Sequence, residues 1–120
     1  MSSLWQSITN EAELNSLLSG NGTAPGTYFL ILKHSSRCAI SAIAKNRLER
    51  KADPRISYFL IDVIHHRQIS NALAEASGVQ HESPQAFLYN GTTVVDVKSH
   101  MGISAGELSK RLDSLIQIQK

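Results

Sequence analysis

The stretch Tyr28-Phe29-Leu30-Ile31-Leu32-Lys33-His34-Ser35-Ser36-Arg37-Cys38-Ala39-Ile40-Ser41 decides how this chain is read. Residues 28–33 form one continuous run with the character of a strand covered on both faces. Ser35 and Ser36 break the run and offer two N-cap side chains. Behind them Ile40, Ile43, Ala44 and Leu48 recur at helical spacing, and Asp53-Pro54 ends the element. A buried strand that turns directly into a helix, with the chain's one cysteine at the junction, is the feature to explain.

Upstream, Asn10 and Glu13 have capping-box spacing, Leu14, Leu17 and Leu18 follow, and Gly20 supplies a stop; residues 21–26 read as a loop. Downstream, residues 56–64 are a second apolar strand. Ile69, Ala72, Leu73 and Ala76 mark a helix closed by Gly78. Asn90-Gly91 between residues 86–89 and 93–97 is a strong hairpin signal, and Ser104 with Glu107 caps a last helix carrying Leu108, Leu112, Leu115 and Ile116. Trp5 and the other aromatics read as core or edge packing. The order α-β-α-β-α-β-β-α predicts an α/β thioredoxin-like fold, a central four-stranded mixed sheet flanked by helices on both faces.

At 120 residues and 42% hydrophobic, the chain is expected to form a single domain over 1–120 with one core. One cysteine excludes an internal disulfide framework. A net charge of +2 with scattered signs gives nucleic acid or a membrane surface nothing to grip. A lone thiol without an export signal fits the cytoplasm, and a monomer is the default at this size. His65 and His66 are adjacent, and as strand residues they would point apart. His34, His81 and His100 stand singly, so no metal is expected. His34 reads as a solvent-facing strand end, Asp62 as a turn or cap residue, and Arg67 as a solvated helix start.

Cys38 carries the chemistry. At a helix N-terminus unpaired N–H groups and the helix dipole favour an anion, and Arg37 adds a neighbouring positive charge. Cysteines so placed ionise more readily than a free thiol. The bland alternative is a small buried hydrophobe.

Cys38-Ala39-Ile40-Ser41, joined to Asp62-Val63-Ile64, Arg67, Ser70-Asn71, Ala74-Glu75, Gly78-Val79 and His81-Glu82-Ser83-Pro84-Gln85, resembles the YtxJ-like monothiol bacilliredoxins of the thioredoxin-like superfamily. The resemblance runs from about Trp5 to the last helix. It implies a monothiol-disulfide oxidoreductase that removes bacillithiol, or a similar small thiol, from mixed disulfides on client proteins. Bacillithiol is then a co-substrate, and no bound cofactor is needed. Cys38 would be the nucleophile. Ser36, Arg37 and Ser41 would shape or stabilise the thiolate pocket, with Ser41 where a resolving cysteine stands in dithiol relatives. Pro84 would be the cis-proline facing the cysteine, and the Ser83 backbone would pair with an extended substrate. Ala39 departs from the family's usual proline and puts the redox poise in question. Two other readings stay open. One is a redox-silent thioredoxin-fold binding module using the Pro84 face. The other is a glutaredoxin-fold arsenate reductase, although Ala42 stands where those enzymes typically carry arginine.

Overall fold

Alternate residues of the first long strand face opposite ways, and each set enters its own core. In the computed structural model, which describes residues 4–20 and 27–119, this strand is β2 (Tyr28–His34). It follows β1 (Trp5–Ser7) and α1 (Glu11–Leu18), and precedes α2 (Ala39–Arg50), β3 (Ile56–Asp62), α3 (Arg67–Ser77), β4 (Gln85–Asn90) and β5 (Thr93–Ser99). A short 3₁₀ turn (His100–Gly102) then leads into α4 (Ala105–Gln119). The predicted loop over residues 21–26 lies outside the described residues.

The sheet order is β1-β3-β2-β4-β5. β1 and β2 run parallel to β3, β4 is antiparallel to β2, and β5 is antiparallel to β4. Five strands rather than the expected four form the sheet. The additional one, β1, is three residues long, with only Trp5 buried, which is too short to show an alternating pattern. Tertiary pairing makes it a strand: Trp5, Gln6 and Ser7 sit beside Tyr58, Phe59 and Leu60.

Tyr28, Leu30 and Leu32 pack with Ala44 and Leu48 of α2 and with Leu108 and Leu112 of α4. Phe29 and Ile31 pack on the other face with Leu14 and Leu17 of α1 and Ile69 and Leu73 of α3. Helices thus cover both faces, as the sequence predicts. Several local signals also match. Asn10 Oδ1 accepts the Glu13 N–H at 2.8 Å, while the Glu13 carboxylate reaches back to the Thr9 N–H at 2.9 Å. Gly78 closes α3 in the left-handed region at φ 71°, and Gly91 turns the β4–β5 hairpin at φ 63°. The second strand stops at Asp62, two residues short of the predicted end, and His65 and His66 lie in the turn beyond it.

The segment between α2 and β3 is fastened by a carboxylate. Arg55 donates to Asp53 through Nε (3.0 Å) and Nη2 (2.7 Å), and Ser109 of α4 donates to it at 3.0 Å. The Tyr58 hydroxyl accepts the Asp53 N–H at 2.8 Å. The Arg55 guanidinium, first among several hydrogen-bond donors, holds the Asp53 pKa down to about 2 from 3.8. A carboxylate lowered on folding adds stability above its unfolded pKa and loses it as pH falls. Acid unfolding should therefore draw on Asp53 between about pH 4 and pH 2. Asp53→Asn should lower stability at neutral pH by about 1–2 kcal/mol in urea unfolding, since Arg55 is partly exposed and screened, and should flatten that acid dependence.

Candidate active site

Three segments leave the same end of the sheet. β2 ends at His34 and runs into Ser35, Ser36, Arg37 and Cys38. β3 ends at Asp62, paired with His34. β4 begins at Gln85, paired with Lys33, so Ser83 and Pro84 enter where β2 exits. Ligand sites in sheets of this kind gather at the carboxyl ends of the parallel strands, which is where these loops converge.

Cys38 itself is the N-cap of α2, at φ −115° and ψ 119°, and its side chain forms no capping hydrogen bond. This corrects the expectation that Ser35 or Ser36 caps the helix. The Cys38 N–H donates to the Ser35 carbonyl at 3.2 Å, and the Cys38 carbonyl accepts the Ala42 N–H at 3.1 Å. The tight turn engages the Ser35 backbone before the helix begins. The thiol therefore occupies the place where a capping oxygen would meet the first free N–H groups of the helix. Alanine at position 39 leaves one more such N–H than proline would. Cys38 is half-buried, while Ser36, Arg37 and Ala39 are exposed.

Ser41 is fully buried. Its Oγ accepts the Ser35 N–H at 3.0 Å and lies 2.7 Å from His34 Nδ1. The hydroxyl is thus engaged with the β2–α2 turn, and it braces the turn that carries Cys38. His34 is correspondingly no solvent-facing strand end. It is half-buried, because even positions of β2 face α2. Burial first, and then the Lys45 ammonium, lower its pKa below the ordinary histidine value of 6.5. A neutral His34 imidazole can accept the Ser41 proton at Nδ1, which leaves Oγ free to accept from Ser35.

Pro84 is buried and follows a cis Ser83–Pro84 bond, as the resemblance implies. The Ser83 Oγ is shut off from solvent with no hydrogen-bond partner among the described residues. Asp62 is a turn residue as expected, its Oδ1 accepting the N–H groups of Ile64 (3.0 Å) and His65 (3.2 Å). Arg67 is exposed at the start of α3. Among the described residues no group of three or more His, Cys, Asp or Glu could hold a metal, and no helix is long and apolar enough to cross a membrane.

Two features escape a reading of residue types. One is the His34–Ser41 contact. The other is Lys33, fully buried on the opposite face of β2, with its Nζ 3.2 Å from His81 Nδ1. Strand alternation holds the signal for both, since positions 33 and 34 must point into different cores.

Comparison with known proteins adds the following. The family model described as monothiol bacilliredoxin BrxC matches residues 6–108. A solved structure described as a candidate oxidoreductase with a thioredoxin fold is 25% identical, with a TM-score of 0.79 over 91% of this chain and 94% of that one. Thioredoxin from Fasciola hepatica is 17% identical, with a TM-score of 0.66 over 91% of this chain and 97% of its own. Thioredoxin from Trypanosoma brucei brucei is 11% identical, with a TM-score of 0.68 over 93% and 90%. The two thioredoxins share the fold.

Removing the Ser41 hydroxyl leaves the Ser35 N–H and His34 Nδ1 without this partner at a half-buried turn. Ser41→Ala should therefore cost about 1–3 kcal/mol in denaturant unfolding. His34 has a folded pKa below its unfolded one, so its share of stability is complete above about pH 6.5 and is lost as pH falls through the lowered value. His34→Gln should reduce that loss, read from unfolding midpoints across the range.

Proposed function

This chain belongs to the monothiol bacilliredoxin family, and from that premise we propose that it removes bacillithiol from mixed disulfides on client proteins. The family and the thioredoxin fold make it a thiol-disulfide redox protein. The small thiol, the clients and the residue roles are the proposal. The observation that carries it is Cys38 at the N-cap of α2, half-exposed and with its sulfur free of a capping bond.

The steps balance with one cysteine. The Cys38 thiolate attacks the bacillithiol sulfur of the mixed disulfide. A new sulfur–sulfur bond joins Cys38 to bacillithiol, and the client leaves as its thiolate, to be protonated by water. A second bacillithiol thiolate then attacks the Cys38 adduct, releasing bacillithiol disulfide and restoring Cys38. Helix N–H groups would steady the thiolate, with Arg37 and Ser36 at the rim. Ser41 would hold the turn, and it cannot supply a second sulfur. Pro84 would wall the site while the Ser83 backbone pairs with the disulfide-bearing chain. The YtxJ-like branch of the family is favoured by the His81-Glu82-Ser83-Pro84-Gln85 string. A reducing cytoplasm would suit a reaction that consumes free small thiol.

A binding module would have no need of an accessible sulfur at a helix N-terminus, which favours exchange over that reading. Incubated with a client protein carrying bacillithiol, the wild type should gain the mass of one bacillithiol while the client loses it. Cys38→Ser should do neither. Ser41→Cys should supply a second thiol one helical turn away, able to discharge the adduct as an internal disulfide. A wild type that gains no adduct from any small-thiol donor, although iodoacetamide alkylates Cys38, would overturn the assignment.

A further inference from the structure

Lys33 is a charged side chain with no exposed surface, and the exchange reaction as drawn above makes no use of it. It projects from β2 into the core formed with α1 and α3. Its ammonium lies 3.2 Å from His81 Nδ1 and 5.5 Å from the centre of the Phe87 ring. The Ser70 hydroxyl of α3 lies 3.0 Å from the same imidazole nitrogen. His81 is three residues before Pro84. Gln85, the cross-strand partner of Lys33, is also fully buried and ties down the same segment: its Nε2 donates to the Gln80 carbonyl at 3.1 Å and its Oε1 accepts the Glu82 N–H at 3.4 Å. A neutral polar network would brace the segment at less cost than a buried ammonium, which has no carboxylate partner among the described residues.

We propose that Lys33 and His81 are positioning residues for the exchange reaction: the buried ammonium grips the neutral imidazole and so fixes residues 80–84, the segment that presents Ser83 and Pro84 to the disulfide. This rests on the exchange reading of the site. It adds a condition, because the grip exists only while His81 is unprotonated. A protonated imidazole carries a proton on Nδ1, cannot accept from Lys33, and sets two positive charges side by side in a buried place. The charged groups facing His81 are Lys33 from β2, Arg67 from α3 and Glu82 from its own segment. Burial first, then Lys33 and Arg67, lower its pKa, with only Glu82 opposing. Burial also brings Lys33 down to about 8, so near neutrality Lys33 is the donor and His81 the acceptor. As pH falls below the ordinary histidine value the pair separates, and the substrate segment is released. His100 lies 3.9 Å from Glu82 of the same segment.

The test divides the rate of exchange with a protein–bacillithiol disulfide by the rate of iodoacetamide alkylation at each pH. Alkylation needs the thiolate and not the segment, so the ratio cancels the titration of Cys38. In the wild type the ratio should fall by about tenfold from about pH 7.5 to about pH 5, the effect of losing one buried charge-assisted hydrogen bond. His81→Gln keeps an acceptor for Lys33 but cannot be protonated, so it should retain the neutral-pH ratio and lose the acid fall. His100→Asn should keep the fall. Lys33→Met should fold, lose the acid fall, and show a raised KM with kcat and alkylation little changed. A flat wild-type ratio, or a fall that survives in His81→Gln, overturns the proposal. Hydrogen-exchange protection of residues 79–85 in wild type and His81→Gln gives a second, activity-independent reading. If no donor is exchanged at any pH but protection is lost on acidification in the wild type alone, the exchange function fails while the Lys33–His81 grip stands. Equal protection in both proteins at both pH values overturns the grip as well.

Discussion

Strand β2 lies at the centre of the sheet, between β3 and β4, and all but its last residue is buried. Nothing in its backbone can look to water, so every N–H and C=O must find a partner in a neighbouring strand. Its side chains must find partners in helices above and below. The remainder of the molecule answers that demand. Parallel pairing with β3 requires a crossover, which α2 supplies on one face, and antiparallel pairing with β4 brings the chain back past the end where Cys38 lies. Where β2 ends, its last side chain is only half-buried and the chain turns at once into a helix start. The cysteine is therefore where it is because the strand before it has no freedom.

That constraint also explains how much could be read from residue types. A long apolar run, a glycine closing a helix, Asn10 with Glu13, and Asn90-Gly91 are local signals backed by local physics, and each has its expected counterpart in the structure. β1 carries no such signal. Three residues with one buried face become a strand only because β3 offers them an edge, and β3 lies some fifty positions away. The capping of α2 failed as a prediction for a related reason. Serine is a good cap, but Ser35 is drawn into a turn by the Cys38 N–H, and the thiol inherits the cap position. For the candidate site, the family string contains Cys38 and Pro84, which the fold brings to one end of the sheet. Side-chain partnerships such as His34 with Ser41 depend on which helix covers which face.

Positions 33 and 34 show what the alternation does to chemistry. Two neighbouring basic side chains are sent to opposite sides of one sheet. His34 enters the α2 side and braces the turn bearing the sulfur. Lys33 enters the α3 side and reaches the segment bearing Pro84. The segments bearing Cys38 and Pro84 are thus held from two different cores, by groups adjacent in sequence that never meet. A one-residue slip of β2 would exchange the two side chains and disrupt both segments together.

The edge strand β1 has a consequence for the order in which the chain acquires its structure. It is made before β3, yet β3 is its partner in the sheet among the described residues and must first be built and paired with β2. Closing a loop of some fifty residues costs about (3/2)RT ln n of chain entropy, so β1 gains little until the β2–β3 pair already exists. The strand therefore docks late, after the pair it joins. Trp5 makes that docking worthwhile: it packs edge-on against Tyr58, and its indole nitrogen donates to Glu49 of α2 at 2.7 Å. β1 acts as the clasp that closes the sheet around a helix and a strand made after it.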